Sequence, residues 1–296
     1  MRILVIGGTG TLGRAIIQHY YSQNNYIVCL SRDELKQQEL KRDFPRVKCV
    51  LGDIGRGMPY NLEENIDIIY HVAALKHVDV LQSNVTVAAQ TNIAGTMEAA
   101  QWAHSRNIPK FVFCSTDKAV LPINVYGQTK AIAEAYIQQL NNESIARLQN
   151  HGTQFRIFRW GNVLGSRGSV LHYFKRTLLE HQKVYLTHTQ MTRFWIRIED
   201  AIGFMTSRAE SQSPMRCLQI PDGSGMKAAR VIDIVRVIAE RLGVTAYQTE
   251  VVGIRPGEKI HEDLVALHDN AGAPLNSATA PRYSDEELYQ LLEGLV

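Results

Sequence analysis

The sequence predicts an α/β protein in which a doubly wound parallel sheet carries a smaller, interleaved lobe. Three observations predict it. Short β-branched runs alternate with helical patterns through the first half of the chain. A glycine-rich turn joins the first strand directly to the first helix, and the alternation loosens after Trp160.

In chain order, strands buried on both faces are expected at 3–6, 27–30, 47–51, 66–72 and 111–114, because each run is almost wholly apolar. Helices are expected between them at 12–23, 33–43 and 85–105, followed by one from 125 to about 140 and a sixth strand at 155–159. Strand-helix alternation of this kind folds into a parallel sheet with right-handed crossovers. Beyond the turn-rich 161–168, helices are expected at 170–180, 199–209 and 229–242. Residues 268–281, rich in Ala, Asn, Pro and Gly, read as a surface loop, and Ser284-Asp285-Glu286-Glu287 has the capping-box form that opens a last helix. No repeat or linker divides the chain. The main domain is expected at 1–165 with 195–212 returning to it, and the smaller lobe at 166–194 and 213–296.

The bulk numbers exclude several classes. With 296 residues, 45% apolar and 21% charged, the chain has ample core for a globular protein. A net charge of +3, with no concentrated basic run, is a poor footprint for nucleic acid. Cys29, Cys49, Cys114 and Cys217 are scattered without a C-x-x-C pair, which predicts free thiols and no metal site. No apolar stretch approaches the roughly 20 residues that cross a bilayer. Nor does the start resemble a signal peptide, since Arg2 to Ile6 runs straight into a glycine turn. The expected setting is a reducing cytoplasm, with neither nucleic acid nor membrane as partner.

Gly7-Gly8-Thr9-Gly10-Thr11-Leu12-Gly13 places glycines at 7, 10 and 13, between strand and helix. Such a turn lets a pyrophosphate approach the backbone, and the helix N-terminus offers free N–H groups and the positive end of its dipole. Gly7, Thr9, Gly10, Thr11, Leu12 and Gly13 are therefore candidate dinucleotide contacts. The second strand ends in Leu30-Ser31-Arg32-Asp33, where an NAD site usually has its acidic residue. Ser31 and Arg32 instead suit the 2′-phosphate of NADP, because guanidinium binds phosphate bidentately; the alternative is that Asp33 reaches the ribose. Asp53, with Ile54, follows the third strand where a side chain can meet the adenine edge or simply cap a turn.

Ser115-Thr116-Asp117-Lys118 followed by Tyr126-Gly127-Gln128-Thr129-Lys130 carries the chemistry. The Y-x-x-x-K spacing puts the phenol and the ammonium one helical turn apart on one face. That ammonium is expected to pull the tyrosine down from about 10, so that a phenolate can take a hydroxyl proton while hydride leaves for a nicotinamide. Asp117 and Lys118 add an acid and an amine that a simple alcohol dehydrogenase does not need.

With these residues together, the chain resembles the extended short-chain dehydrogenases/reductases with a Rossmann core. More narrowly it resembles UDP-N-acetylglucosamine 4,6-dehydratases, especially the soluble 5-inverting type that begins pseudaminic acid synthesis. The likeness rests on His71-Val72-Ala73-Ala74-Leu75-Lys76-His77-Val78, Thr91-Asn92-Ile93-Ala94-Gly95-Thr96, Ser115-Thr116-Asp117-Lys118-Ala119 and Pro122-Ile123-Asn124-Val125-Tyr126-Gly127. It continues through Arg159-Trp160-Gly161-Asn162-Val163, Gly165-Ser166-Arg167-Gly168-Ser169-Val170, Met191-Thr192-Arg193-Phe194-Trp195-Ile196 and the run from Gly253 to Glu262.

The resemblance implies a role for each residue. Tyr126 takes the proton of the sugar's 4-hydroxyl as hydride passes to NADP, Thr116 holds that oxygen, and Lys130 keeps Tyr126 ionised while binding the nicotinamide ribose. Lys118, its pKa expected to be lowered by burial and a nearby cation, removes the hydrogen on carbon 5; Asp117 protonates the departing 6-hydroxyl. Hydride then returns to carbon 6, so the cofactor is recycled. Ala73, Ala74, Lys76 and Asn92 complete the cofactor set, Asn92 by bracing the site and Lys76 also by lying over the hexose. Asn162, Gly168, Ser169, Val170, Arg193, Arg255 and Glu258 are the implied contacts of the UDP-sugar. Related retaining dehydratases carry Asp-Glu where this chain has Asp117-Lys118, so the lysine implies inversion. Homo-oligomers are common in the family. Two alternatives stay open: a UDP-sugar 4-epimerase, which needs neither Asp117 nor Lys118, and a catalytically silent NADP-binding regulator.

Overall fold

The computed structural model describes residues 1–62, 65–148, 152–211, 215–221, 226–269 and 272–296. Strand β1 (Arg2–Ile6) feeds helix α1 (Thr11–Ser22), and β2 (Tyr26–Ser31) feeds α2 (Glu34–Asp43). Then come β3 (Lys48–Leu51), β4 (Ile68–His71), α3 (Val78–Gln82), α4 (Val85–Ala88), α5 (Gly95–Ser105), β5 (Lys110–Cys114), α6 (Val125–Leu148) and β6 (Gln154–Phe158). The second half holds β7 (Asn162–Val163), α7 (Val170–His181), β8 (Lys183–Leu186), β9 (Thr192–Ile196), α8 (Ile198–Glu210), β10 (Leu218–Gln219) and β11 (Lys227–Arg230). Helix α9 (Val231–Arg241), β12 (Gln248–Val251), β13 (Asp263–Val265), β14 (Leu275–Asn276) and α10 (Asp285–Leu291) complete it.

The central sheet runs β3-β2-β1-β4-β5-β6-β10, and every pair in it is parallel. The direction of winding reverses between β1 and β4, which opens a crevice at the carboxyl ends of those strands. Ile3, Leu4 and Val5 are fully buried, as expected of a strand covered by helices on both faces. Helix α8 packs Ala201, Met205 and Ala209 into the same core as Ile16 and Tyr20 of α1. A second core, around Leu171, Phe174, Trp195, Ile234 and Ile238, lies between α7, β9 and α9. Among the described residues no helix is long and apolar enough to cross a membrane.

The fold departs from the sequence reading in five places, one being the helix expected at 229–242, which starts only at Val231 because Ala229 and Arg230 pair with β9 in strand β11. The single helix expected at 85–105 is interrupted by a π-helical stretch, Ala89–Ala94; such bulges re-aim side chains and recur at functional sites. Here the bulge carries Thr91 and Asn92, both buried. Strand β4 starts at Ile68, two residues late, because the Asp67 carboxylate accepts from the Arg2 N–H at the sheet edge. Helix α6 runs on to Leu148, since its polar tail hides a buried hydroxyl: Ser144 Oγ meets His104 Nδ1 at 3.1 Å. Residues 268–281 are not a plain surface loop. Asp269 closes a buried ion pair, β14 pairs with β13, and Ser277 is fully buried. Positions 270 and 271 of that segment lie outside the described residues.

Candidate active site

A cleft of about 920 Å³ follows the carboxyl edge of the sheet, from the glycine turn to the loop after β7. Gly7 has φ of +89°, and a Cβ there would come within 2.6 Å of the Ala73 nitrogen. A side chain on Gly13 would collide with the Gly7 carbonyl. Positions 7 and 13 of the turn thus accept only glycine, and no side chain caps the first turn of α1. Those free N–H groups at a helix N-terminus fit a dinucleotide's phosphates.

At the far end of the cradle, Arg32 Nη1 lies 3.6 Å from Asp53 Oδ2. Asp53 also accepts from the Gly55 N–H, so it caps the short turn that holds Ile54. Asp33 caps α2 by accepting from the Lys36 N–H, and pairs with the Lys36 ammonium. Gln37 donates to both the carbonyl and the hydroxyl of Ser31. Asp33 is thereby engaged, whereas the Arg32 side chain stays 52% exposed at the cleft.

The reacting end is built by the short 3-10 turn Asp117–Ala119, which follows β5, and by the first turns of α6. Asn124 Oδ1 accepts from the Gly127 N–H at 2.7 Å and so caps α6, while its Nδ2 donates to the Gly257 carbonyl. Thr116 Oγ1 donates to Asp117 Oδ1 at 2.9 Å, and Lys118 Nζ donates to the same oxygen at 3.0 Å. Asp117 is fully buried, and its Oδ2 has no hydrogen-bond partner among the described residues. One carboxyl oxygen is therefore fixed and the other is buried without such a partner, just behind the cleft wall that Thr116 and Lys118 form.

Two electrostatic expectations are corrected here. Burial works against the Lys118 charge, but the carboxylates of Asp117 and Glu262 outweigh it, and Lys118 is raised above its ordinary value. Sequence reasoning had counted a cation near Lys118 and missed the second carboxylate. Tyr126 is also raised, by burial and then by Cys114, with the Thr116 hydroxyl working the other way. Lys130 does not offset this, because its Nζ is drawn down to the Cys114 carbonyl, 2.6 Å away, and sits 3.9 Å over the Phe113 ring. Burial lowers Lys130 to about 8.

The cleft brings together Gly7, Thr9, Gly10, Thr11, Leu12, Gly13, Ser31, Arg32, Asp53, Ile54, Ala73, Ala74 and Lys76 along the side of the glycine turn. Thr116, Lys118, Tyr126, Asn162, Gly168, Ser169 and Val170 line the other. Asn92 stands behind the wall: its Oδ1 accepts from the Leu75 N–H, and its Nδ2 donates to the Leu75 carbonyl and to Thr129 Oγ1. Arg193 is buried, and its guanidinium donates to the carbonyls of Thr192, Lys259 and Ile260. It ties the 258–262 segment to β9, with Glu258 3.7 Å away. Arg255 is exposed, on the approach to that segment. Sequence reasoning assigned no chemistry to Glu262, although the quoted run ends on it, because an acid one segment from a lysine in the fold is 144 residues from it in the chain. It likewise passed over Gly127, hidden inside the Y-x-x-x-K spacing.

A parallel sheet in this strand order, with a glycine cradle and a Y-x-x-x-K helix on either side of its switch point, is the architecture of the extended short-chain dehydrogenases/reductases; this chain is of that class. Within it the chain belongs to the polysaccharide biosynthesis protein family, which it matches over residues 3–278. It is 34% identical to the UDP-N-acetylglucosamine 4,6-dehydratase (inverting) of Campylobacter jejuni over 276 residues, 90% of this chain and 78% of that one. A UDP-glucose 4-epimerase of Rickettsia massiliae is 28% identical, over 92% of this chain and 79% of the relative. Among solved structures, Pen from Bacillus thuringiensis superposes with a TM-score of 0.85 at 27% identity, covering 98% of this chain and 96% of that one.

Proposed function

We propose that the protein is a nucleotide-sugar 4,6-dehydratase that acts on UDP-N-acetylglucosamine with NADP and inverts carbon 5. The observation that carries this is the pairing of Asp117 and Lys118 beside Thr116 and Tyr126, with one Asp117 oxygen left unpartnered. The likeness to relatives named as the inverting dehydratase supports the same reading. A 4-epimerase has no use for either residue.

When bound, the dinucleotide accepts hydride from carbon 4 of the sugar and returns it to carbon 6. The chain's own groups do the rest. Tyr126, once ionised, takes the proton of the 4-hydroxyl while Thr116 holds the same oxygen; burial opposes that ionisation, so the phenolate needs a cation beside it. Lys118 takes the carbon-5 proton, acidified by the new ketone, and Asp117 gives a proton to the departing 6-hydroxyl; as hydride returns to carbon 6, a proton that has exchanged with solvent is delivered to carbon 5. Moving one proton from Lys118 Nζ to Asp117 Oδ1 along their 3.0 Å hydrogen bond produces the neutral amine and the carboxylic acid together. No proton need enter or leave the site for that step. For NADP, the support is Ser31 and Arg32 at the end of β2, with Asp33 already engaged by Lys36.

Purified protein incubated with UDP-N-acetylglucosamine in deuterated water tests the reading by mass and proton NMR. Loss of one water with deuterium entering at carbon 5 is expected. A product of unchanged mass carrying a 4-epimer signal would show an epimerase instead.

A further inference from the structure

Glu262 lies on the segment between β12 and β13, 3% exposed, and its Oε1 is 3.5 Å from Lys118 Nζ. Its backbone N–H donates to Ser277 Oγ, itself bonded to Thr192, so the residue is fixed from two sides. Arg193 Nε is 3.8 Å from the same Oε1. An acid buried this deeply is retained only when paired, and its nearer partner, ahead of Arg193, is the amine assigned as the carbon-5 base.

We propose that Glu262 is a positioning residue for Lys118: its charge holds the amine at the reacting end of the cleft and sets how readily that amine gives up its proton. The inference deepens the dehydratase reading and rests on it for the role of Lys118. An ionised Glu262 stabilises the ammonium; transfer of a proton from Lys118 Nζ to Asp117 Oδ1 breaks an N–H bond, forms an O–H bond and removes the charge that Glu262 pairs with. The carboxylate thus opposes formation of the base. The groups facing Glu262 are Lys118 and Asp117 from the turn after β5, Arg193 on β9, and Lys259 on its own segment. Beside them, Lys259 is paired with Asp263, and His261 is hydrogen-bonded to Thr192. Burial leaves the Glu262 carboxyl above its ordinary value, with Lys118 pulling the other way.

The test reads the lysine directly. Brief trace labelling with an amine-reactive anhydride across the alkaline range, followed by mass spectrometry of the Lys118 peptide, reports the fraction of neutral amine, with the other lysines as internal references. In Glu262→Gln the midpoint of the labelling rise is expected about one pH unit below wild type, or about tenfold faster labelling at a fixed pH on the rise. Glu262→Asp, whose carboxylate stands further from Lys118, is expected to shift the midpoint the same way by less, and serves if the Gln variant does not fold. Midpoints unmoved in the folded variants would overturn the proposal. If wild type loses no water from the sugar yet the midpoints shift, the dehydratase reading has failed and the Glu262–Lys118 coupling stands.

Discussion

The carbonyl of Lys118 lies directly over the Cα of Gly127, so close that no side chain can stand between them. The 3-10 turn that aims Lys118 and the helix that aims Tyr126 are thus in backbone contact, and the distance between base and phenol is set by the absence of one Cβ. In Gly127→Ala the new methyl would also meet Pro122. Overpacking of this kind costs about 1–3 kcal/mol. A lower Tm is expected with a disproportionate loss of water elimination, while dinucleotide affinity holds, because the glycine cradle is elsewhere. Thermal unfolding, turnover and dinucleotide titration on one preparation check this.

Removing the amine alone separates the two halves of the chemistry. Lys118→Ala takes away the base proposed for carbon 5 but leaves Thr116 and Tyr126, the groups proposed for the 4-hydroxyl. Loss of a general base typically costs 10²–10⁴-fold, so water loss is expected to fall by about that much. Reduced nicotinamide should still form on mixing with the sugar nucleotide, visible by its absorbance. Normal elimination in this variant would move the base assignment away from Lys118.

Lys130 supplies a pH test. Its buried ammonium has a pKa of about 8, against an ordinary 10.5. Below pH 8 both folded and unfolded chains hold the proton, and the burial penalty is felt in full. Between about 8 and 10.5 the unfolded chain binds more protons than the folded one, so stability from this group rises with pH. Lys130→Met removes the penalty at every pH and strands the Cys114 carbonyl at every pH. Its stability relative to wild type is therefore expected to be greater at pH 7 than at pH 10. Denaturation of both proteins at the two pH values measures the difference; a gap independent of pH would show Lys130 to be less enclosed than it stands here.

Much of this molecule could be read from the chain because local chemistry and local geometry agree in its first half. Gly7, Gly10 and Gly13 have one conformational use next to an apolar strand, and the β-branched runs have one place to go. What escaped reading depends on pairs far apart in sequence. Arg159 was noted only as part of a motif, yet it is a buried hub that donates to Glu134 Oε1 and Oε2 and to both oxygens of Asp269. Polar composition made 268–281 look like a surface loop, although Asp269 is in it. Glu262 was hidden in the same way, since an acid's meaning depends on the cation that the fold sets against it.

That hub gives a stability prediction. Glu134 lies two turns beyond Tyr126 on the same face of α6, one turn past Lys130, so Arg159 fastens the catalytic helix to the 267–269 turn. Arg159→Met would leave two carboxylates facing each other without their cation. Breaking a buried ion pair from one side costs about 3–5 kcal/mol. A large fall in Tm is expected, partly recovered when Glu134→Gln and Asp269→Asn are added, because the uncompensated charge goes with them. No recovery in the triple variant would mean that Arg159 matters for its packing and for its bond to the Leu264 carbonyl.

The choice between the two dinucleotides turns on Arg32. Its guanidinium is half exposed beside Ser31, and its nearest acid, Asp53, is 3.6 Å away and already occupied as a cap. An acidic side chain free to take two ribose hydroxyls is what an NAD site requires. Asp33, the one acid at the end of β2, is tied to the Lys36 backbone and ammonium, and that pairing holds its carboxyl below the usual range. A 2′-phosphate would instead meet Arg32 and the Ser31 hydroxyl. Hydrogen bonds to a charged group are worth about 1.5–3 kcal/mol, so Arg32→Ala is expected to weaken NADP binding by roughly 10- to 100-fold. NAD, which lacks the phosphate, should be nearly unaffected. Calorimetric titration of wild type and variant with both dinucleotides gives the two ratios, and equal losses for NAD and NADP would assign Arg32 to the fold of the loop.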